Sequence, residues 1–499
     1  MVWQPLVPAN AGQQIIIQQP LVPAEPERAG QQIIIRQPLV PAVPTSAGQQ
    51  IIIRQPLAAT VAETWETRIR GQHYSLGVVF LFVTLVLEAK VSLRGTARVL
   101  AVLAAQLGIA IGQPDWTTGR WWLLRVGFYK LMRPKERADD WVWFIDHSCQ
   151  MGTEKCLAIL GIRLKDLPPE GECLRLEHME PLEILPVSSS NQETVAAQLA
   201  AVAEKVGVPR AIVRDDGADL RGGVRLFREK HPETADLYDI KHKTACLLKH
   251  ALEADERWGD FSRRAGATKC QVQQTELAFL APPSQRSKAR YMNVAELARW
   301  GTRTLRLVEA KPAEVLQHVS GERLEEKLGW LREYRTELTE WSEMMTVAYV
   351  AEDLVRRQGI YPGVADELAQ RGQGPLVSEK VERLREELLD HIAAQETQVR
   401  PGERLPGSTE VLESSFGKLK QVEKDQSRSG FTGLLLVLGA LVSTTTTEVV
   451  KAALEYCPLK AIWKWCGAKL RKTVQAKRRL AYSSPSAQQN PDERIKPSS

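Results

Sequence analysis

The sequence predicts a layered α/β (α+β) domain, preceded by a helical segment and interrupted by a mostly α-helical one. Three observations carry this. Apolar runs of strand length stand at 141–145, 156–164, 174–187 and 211–214. A helical stretch at 190–207 falls between the third and fourth runs, and a further strand leading into a helix follows in "TADLYDIKHKTACLLKHAL". From 246 to 405 the apolar residues recur mostly every three and four positions, which is the helical period.

Composition sets the bounds. A chain of 499 residues, 43% hydrophobic and 25% charged, is globular and long enough for two to four domains. Its net charge of +6 is unevenly placed. Residues 451–499 carry eleven Lys+Arg against three Asp+Glu, a local +8, so the rest of the chain sums to −2. A polyanion is the partner such an end suits. The seven cysteines form no CxxC pair and no Cys/His cluster with zinc spacing, so they read as reduced thiols. No charged start followed by an apolar core marks a signal peptide. The apolar runs at 76–90 and 430–447 fall short of the roughly 18–20 residues of a spanning helix. Both read as core helices, so the expected location is cytoplasmic and no membrane partner is expected.

In chain order, residues 1–57 are a repeat. "AGQQIII" recurs at 11, 29 and 47 with a period of 18, each copy followed by a Gln-Pro-Leu step. One apolar triplet per copy buries little, so a disordered tail is expected; the alternative is a sticky assembly segment of high β-propensity. Residues 60–135 read as a helical domain. Tyr74–Lys90 is an apolar helix, Ser92–Leu107 an amphipathic one, and Thr117 or Thr118 can cap a third through "GRWWLLRVGFYKLM". Arg120, Arg125 and Lys130 on that third helix suit a helix-turn-helix reader of the DNA major groove; the alternative is a small packing domain.

The 139–245 segment holds the strands. Its first run ends on Asp146, and a later one ends on Asp215 before the turn Asp216-Gly217. Ser190 and Glu193 have capping-box spacing before the helix between them. Residues 246–405 hold the long helices 322–359 and 378–395, with Asn293 and Glu296 spaced to cap another. Ahead of all three, "PPSQRSKARYMN" packs Arg286, Lys288 and Arg290 into five residues of a Pro-initiated loop, either a solvated basic loop or a phosphate clamp. Within the last segment, 406–450, Ser408 can cap the helix "TEVLESSFGKLKQVEK" that carries Glu413, and a basic helix at roughly 458–481 precedes a polar tail.

Acids at strand ends and on a neighbouring helix can converge. Hard divalent cations take oxygen ligands, and a pair of them ~3.5–4 Å apart stabilises both oxygens of an in-line phosphoryl transfer. Taken singly, Asp146 and Asp215 also suit turns, and Glu413 suits a helix N-terminus.

The order "FIDHS", "ILGIRL", "IVRDDGADL", "YDIKHKTACLLK" and "STEVLESSFGKLK" resembles the DDE transposases of bacterial insertion sequences over roughly residues 75–450. That resemblance implies a ribonuclease-H-like catalytic core, 139–245 and 406–450, with 246–405 as a helical insertion. It implies Asp146, Asp215 and Glu413 as catalytic, metal-holding acids, two Mg²⁺ or Mn²⁺ ions, and cutting and rejoining of double-stranded DNA by a homo-oligomer, nucleoid-associated in the cell. Lys420 matches a Glu-six-Lys spacing and would share a helix face with Glu413. His242 matches a His-bearing segment after the fifth strand; His147 should point to the opposite face from Asp146. Simple integrases place the third acid a few tens of residues after the second. The gap here is 198, which the insertion accounts for. The rival readings are a nuclease of the same fold without strand transfer, and a defective or domesticated DNA-binding derivative.

Overall fold

Five strands form one mixed sheet: β1 (Trp141–Met151), β2 (Glu154–Arg163), β3 (Glu180–Val187), β4 (Ala211–Arg214) and β5 (Ala235–Tyr238), in the spatial order β3-β2-β1-β4-β5. The first three are antiparallel neighbours, whereas β1, β4 and β5 run parallel. The computed structural model describes residues 65–108, 112–151, 154–284, 294–372, 374, 376–424, 432–470, 472 and 474–483. The repeat tail, the Arg286/Lys288/Arg290 loop and Asn293 lie outside them.

The central strands are apolar at both parities because both faces are covered. On one face Trp141, Trp143, Ile145 and Ile212 meet α4 (Gln192–Val206) and α5 (Ala218–Lys230). On the other, Val142, Phe144, Val213 and Leu237 share a core with residues of α1 (Leu76–Leu87), α2 (Leu93–Leu107), α3 (Trp116–Met132) and the C-terminal helices. The 60–135 segment is therefore a layer of the sheet domain rather than a domain with its own core.

α3 explains why. Its buried residues lie on every side, and at Gly127 a Cβ would stand 1.8 Å from the Leu436 carbonyl oxygen, so only glycine permits that crossing. Arg125 is buried and donates to the Leu454 carbonyl. Lys130 is fully buried and donates to Ala440 O (3.2 Å), Val442 O (2.8 Å), Ser443 O (2.8 Å) and Thr445 Oγ1 (2.7 Å). The expectation that Arg125 and Lys130 face a DNA groove is thus corrected: both bind the chain's own carbonyls. Sequence gives the charge of a helix position, not which side is covered. Burial pushes the Lys130 amine down to about 7, yet four oxygens surround its three N–H donors. Lys130→Met strands those acceptors and is expected to cost about 2–3 kcal/mol, read as a lower urea midpoint at unchanged m-value.

After β5 come α6 (Ile240–Glu253) and then α7 to α13 (Glu256–Val272, Val294–Ala310, Ala313–Leu316, Gly321–Leu328, Arg335–Gln358, Val364–Arg371 and Glu379–Glu396). They form a second core, in which Phe261, Tyr334 and Trp341 are fully buried. The helix expected over 322–359 is broken by a 3₁₀ stretch, Gly329–Tyr334. The chain then returns through an Ile360–Leu405 bridge to α14 (Glu410–Lys424), α15 (Val437–Leu441), α16 (Thr447–Tyr456), α17 (Leu459–Lys469) and α18 (Val474–Ser483). The single basic helix expected at 458–481 is therefore two helices. Caps also shift: Asp115 rather than a threonine caps α3, and Asn191 rather than Ser190 caps α4.

The insertion also closes the sheet. β5 is an edge strand, and the end of α13 with the turn after it covers its free side: Gln398 Oε1 accepts from Asp236 N–H (2.8 Å), Gln398 Nε2 donates to Asp236 O (3.0 Å), and Gln395 Oε1 accepts from Tyr238 N–H (3.2 Å). Among the described residues, no helix is long and apolar enough to cross a membrane.

Candidate active site

The parallel strands deliver acids to one place. Val142 and Phe144, Ala211 and Val213, and Ala235 and Leu237 all face the α1–α3 side of the sheet. Continuing that alternation one step puts Asp146, Asp215 and Asp239 on the same face at the same edge. Asp146 does not end its strand, as the sequence suggested. β1 runs on to Met151, and Asp146 pairs with Ala158 of β2. What ends is β4, whose pairing with β1 stops at Ile145–Arg214, so Asp146 is the first β1 residue beyond that pairing.

α14 lies across this face with Leu412, Phe416 and Leu419 in the core and Glu413 half-exposed. Its start is fixed by Asp239, which is fully buried. That carboxylate accepts from Thr409 N–H (3.1 Å) and the Thr409 hydroxyl (3.0 Å), and it pairs with His242 Nδ1 (2.6 Å). Ile240 N–H also donates to Gly407 O (3.0 Å). From α6, Lys241 Nζ donates to Glu413 Oε2 (2.7 Å), and His242 Nδ1 lies 3.9 Å from Glu413 Oε1.

Burial, and then the charges of Asp215 and Glu413, push the Asp146 carboxyl up to about 7, against the His147 N–H it accepts from (2.6 Å) and the His242 charge. The hydrogen bond to Asp239 raises His242 to about 9, so it is an imidazolium at neutral pH. Burial works against the Asp239 anion, but bonds from His242 and Thr409 outweigh it and hold its pKa below the usual range. Asp239, His242 and Glu413 offer ligand atoms within 4.8 Å of one another. A protonated His242 bonded to Asp239 makes that trio an ion-pair network. Asp146 and Asp215 adjoin it through charge.

Of the other residues singled out from sequence, Lys420 is exposed two turns along α14 from Glu413, about 10 Å away at ~1.5 Å per residue. Arg120 is half-buried over the Trp121 ring (5.7 Å). Arg125 is remote from the acids in its bonding, as described, and His147 faces Ser190 (3.3 Å) and Asp219 (3.8 Å) across the sheet. Sequence reading missed Asp239, Lys241 and Thr409. The signal for Asp239 was there, since it follows an apolar strand as Asp215 does.

Asp146, Asp215 and Glu413 are hard oxygen donors, and the raised Asp146 pKa marks a carboxylate whose buried charge is only partly offset, which a divalent cation would relieve. The sign follows. A carboxyl raised from 3.8 to about 7 contributes stability that is full below 3.8 and lost as pH rises through 7, worth at most about 4 kcal/mol. At pH 8 in EDTA, Asp146→Asn is therefore expected to melt a few degrees above wild type. Added Mg²⁺ should raise the wild-type Tm and leave the variant's unchanged, as read by calorimetry.

No protein-family model matches the chain, and no curated protein matches it. Among solved structures, it is similar to the Drosophila P element transposase strand transfer complex at 12% identity and a TM-score of 0.31, over 78% of this chain and 93% of that one. A similarity of that size leaves the assignment to the residues themselves.

Proposed function

We propose that the chain is a metal-dependent DNA transposase of the DDE kind, cleaving at the ends of a mobile element and joining the freed 3′-OH to target DNA. What supports it is the position of Asp146 and Asp215 just beyond the paired ends of neighbouring parallel strands, with the charges of Asp215 and of Glu413, 198 residues later, both acting on Asp146. The strand order, three antiparallel and then two parallel, suits the ribonuclease-H-like core that the sequence resemblance implies. The helical insertion between β5 and α14 suits it as well.

Asp146, Asp215 and Glu413 would hold Mg²⁺ or Mn²⁺. Bound there, the ions would activate the attacking oxygen and stabilise the leaving one. The chain's own residues do the positioning. Asp239 fixes the start of α14 and the orientation of His242, Lys241 holds Glu413 while no cation does, and Lys420 presents a charge to a phosphate farther along the same helix. His242 keeps its proton through the Asp239 bond and supplies a fixed positive charge beside the acids.

A labelled element end incubated with Mg²⁺, alongside a pre-cleaved donor end and a target plasmid, tests the reading. Cleavage together with joined donor–target product is expected. Cleavage without joining assigns a nuclease, and DNA binding without either assigns a defective or domesticated derivative.

A further inference from the structure

The stretch from Tyr456 to Tyr482 contains no Asp or Glu, and seven exposed cations lie between Lys460 and Arg479 among the described residues. It also holds three of the five large aromatic side chains that are exposed among those residues: Tyr456 (73%), Trp463 (57%) and Tyr482 (77%). The sheet domain buries rings of the same kind completely at Trp143 and Phe144, so these exposures are not for want of a core.

On α17 and α18 each exposed ring has a cation three or four residues before it on the same helix face. On α17, Lys460 and Lys464 flank Trp463 at positions three before and one after, all exposed, with the ring braced edge-to-face on Trp121 (6.0 Å). On α18, Arg478 and Arg479 stand four and three residues before Tyr482, which is one face of a helix. Each helix thus repeats a unit of one ring with two cations. A helix lying on a lipid surface instead separates an apolar face from a basic one.

Placement gives the unit a direction. α17 packs on α3 and β3. α18 is tied to the start of β2 by Lys477 Nζ and Glu154 Oε1 (2.8 Å). Glu154 lies at the tip of the β1–β2 hairpin, four residues from Ala158, the partner of Asp146. At ~3.3 Å per residue the tether stands about 13 Å along the strand from the acid cleft.

We propose that α17 and α18 form a track for an unpaired nucleic-acid strand running toward the acid cleft, with rings stacked on bases and cations set on phosphates. The direction of the track rests on the reading of the cleft as a nucleic-acid site. An unpaired strand is the fitting occupant because a duplex hides its base faces except at its ends. A surface reading only duplex phosphates has no use for exposed rings.

The test uses the full-length chain in EDTA with fluorescein-labelled dT20 and a blunt 20-bp duplex. Trp463→Ala/Tyr482→Ala is expected to weaken dT20 binding at least about tenfold and duplex binding less than about threefold. Trp463→Phe/Tyr482→Phe, which keeps both rings, should return dT20 binding to within about threefold of wild type. Lys464→Ala/Arg478→Ala/Arg479→Ala should weaken both probes and flatten the salt dependence. Equal loss on both probes from the ring variant, or no loss on dT20, overturns the proposal. So does a ring variant that keeps dT20 binding and loses binding to phosphatidylserine-containing vesicles, which would assign the surface to lipid. Cleavage is absent in EDTA, so the outcome is independent of the acids: an Asp146→Asn chain that cleaves normally sinks the cleft reading without touching this result.

Discussion

Asp146→Asn, Asp215→Asn and Glu413→Gln should each lower Mg²⁺-dependent cleavage of a labelled DNA end by roughly a thousandfold or more. Each amide keeps the shape and removes an anion from the set that would hold the metal, and interactions with developing charge in such sites are worth about two to three orders of magnitude apiece. Binding to the same DNA should persist or tighten, because a negative charge beside phosphate has gone. The structure supplies matched controls. Asp216 pairs with Arg221 (3.2 Å) and Glu410 with Arg356 (2.8 Å), both at the surface. Asp216→Asn and Glu410→Gln should stay within a few-fold of wild type, since exposed pairs contribute little. A fully active Asp146→Asn protein would return that residue to a structural role.

The second large effect is on Asp239. Asp239→Ala leaves the half-buried His242 imidazolium and the buried Thr409 N–H and hydroxyl without their acceptor. Breaking one side of a buried pair costs about 3–5 kcal/mol, and α14 should lose the fixed start that places Glu413. The expected result is a much lower urea midpoint and little cleavage. Asp239→Asn separates charge from shape. A His242 pKa raised from 6.5 to about 9 gives stability that is full below 6.5 and lost as pH rises through 9, worth about 3 kcal/mol. Urea midpoints between pH 7.5 and 9.5 should fall for wild type and stay level for Asp239→Asn. The Asp146 contribution lies mostly below this window, so the two do not overlap. A level wild-type profile would show that His242 is neutral and the network wrongly charged.

The strands were readable because a central strand covered on both faces must be apolar throughout, and Trp141 to Ile145 and Ala211 to Val213 are. The acids were readable because each interrupts or follows such a run. What sequence could not give is lateral pairing. Asp146 looked like a strand end because apolarity stops there, whereas the strand continues and only its β4 neighbour stops. The 174–187 run has the apolarity of one strand, but its first part is a loop and a 3₁₀ turn before Glu180. Arg125 and Lys130 misled for a related reason. A cation on a helix suggests solvent, and the carbonyls that receive these two come from residues more than 300 positions later. Asp239 was passed over because its partners, Thr409 and Glu413's helix, are 170 positions away.

The glutamine cover on β5 has a consequence for synthesis. Tyr238 and the Gln395 that caps it are 157 residues apart. At roughly 5–20 residues per second, the emerging chain carries a bare sheet edge for about 8–30 s before its cover exists. Through that interval the nascent sheet is open to pairing with any neighbouring strand, including its own copy on an adjacent ribosome. The long helical detour therefore sets a vulnerable window in translation, and slow elongation between codons 239 and 395 would widen it.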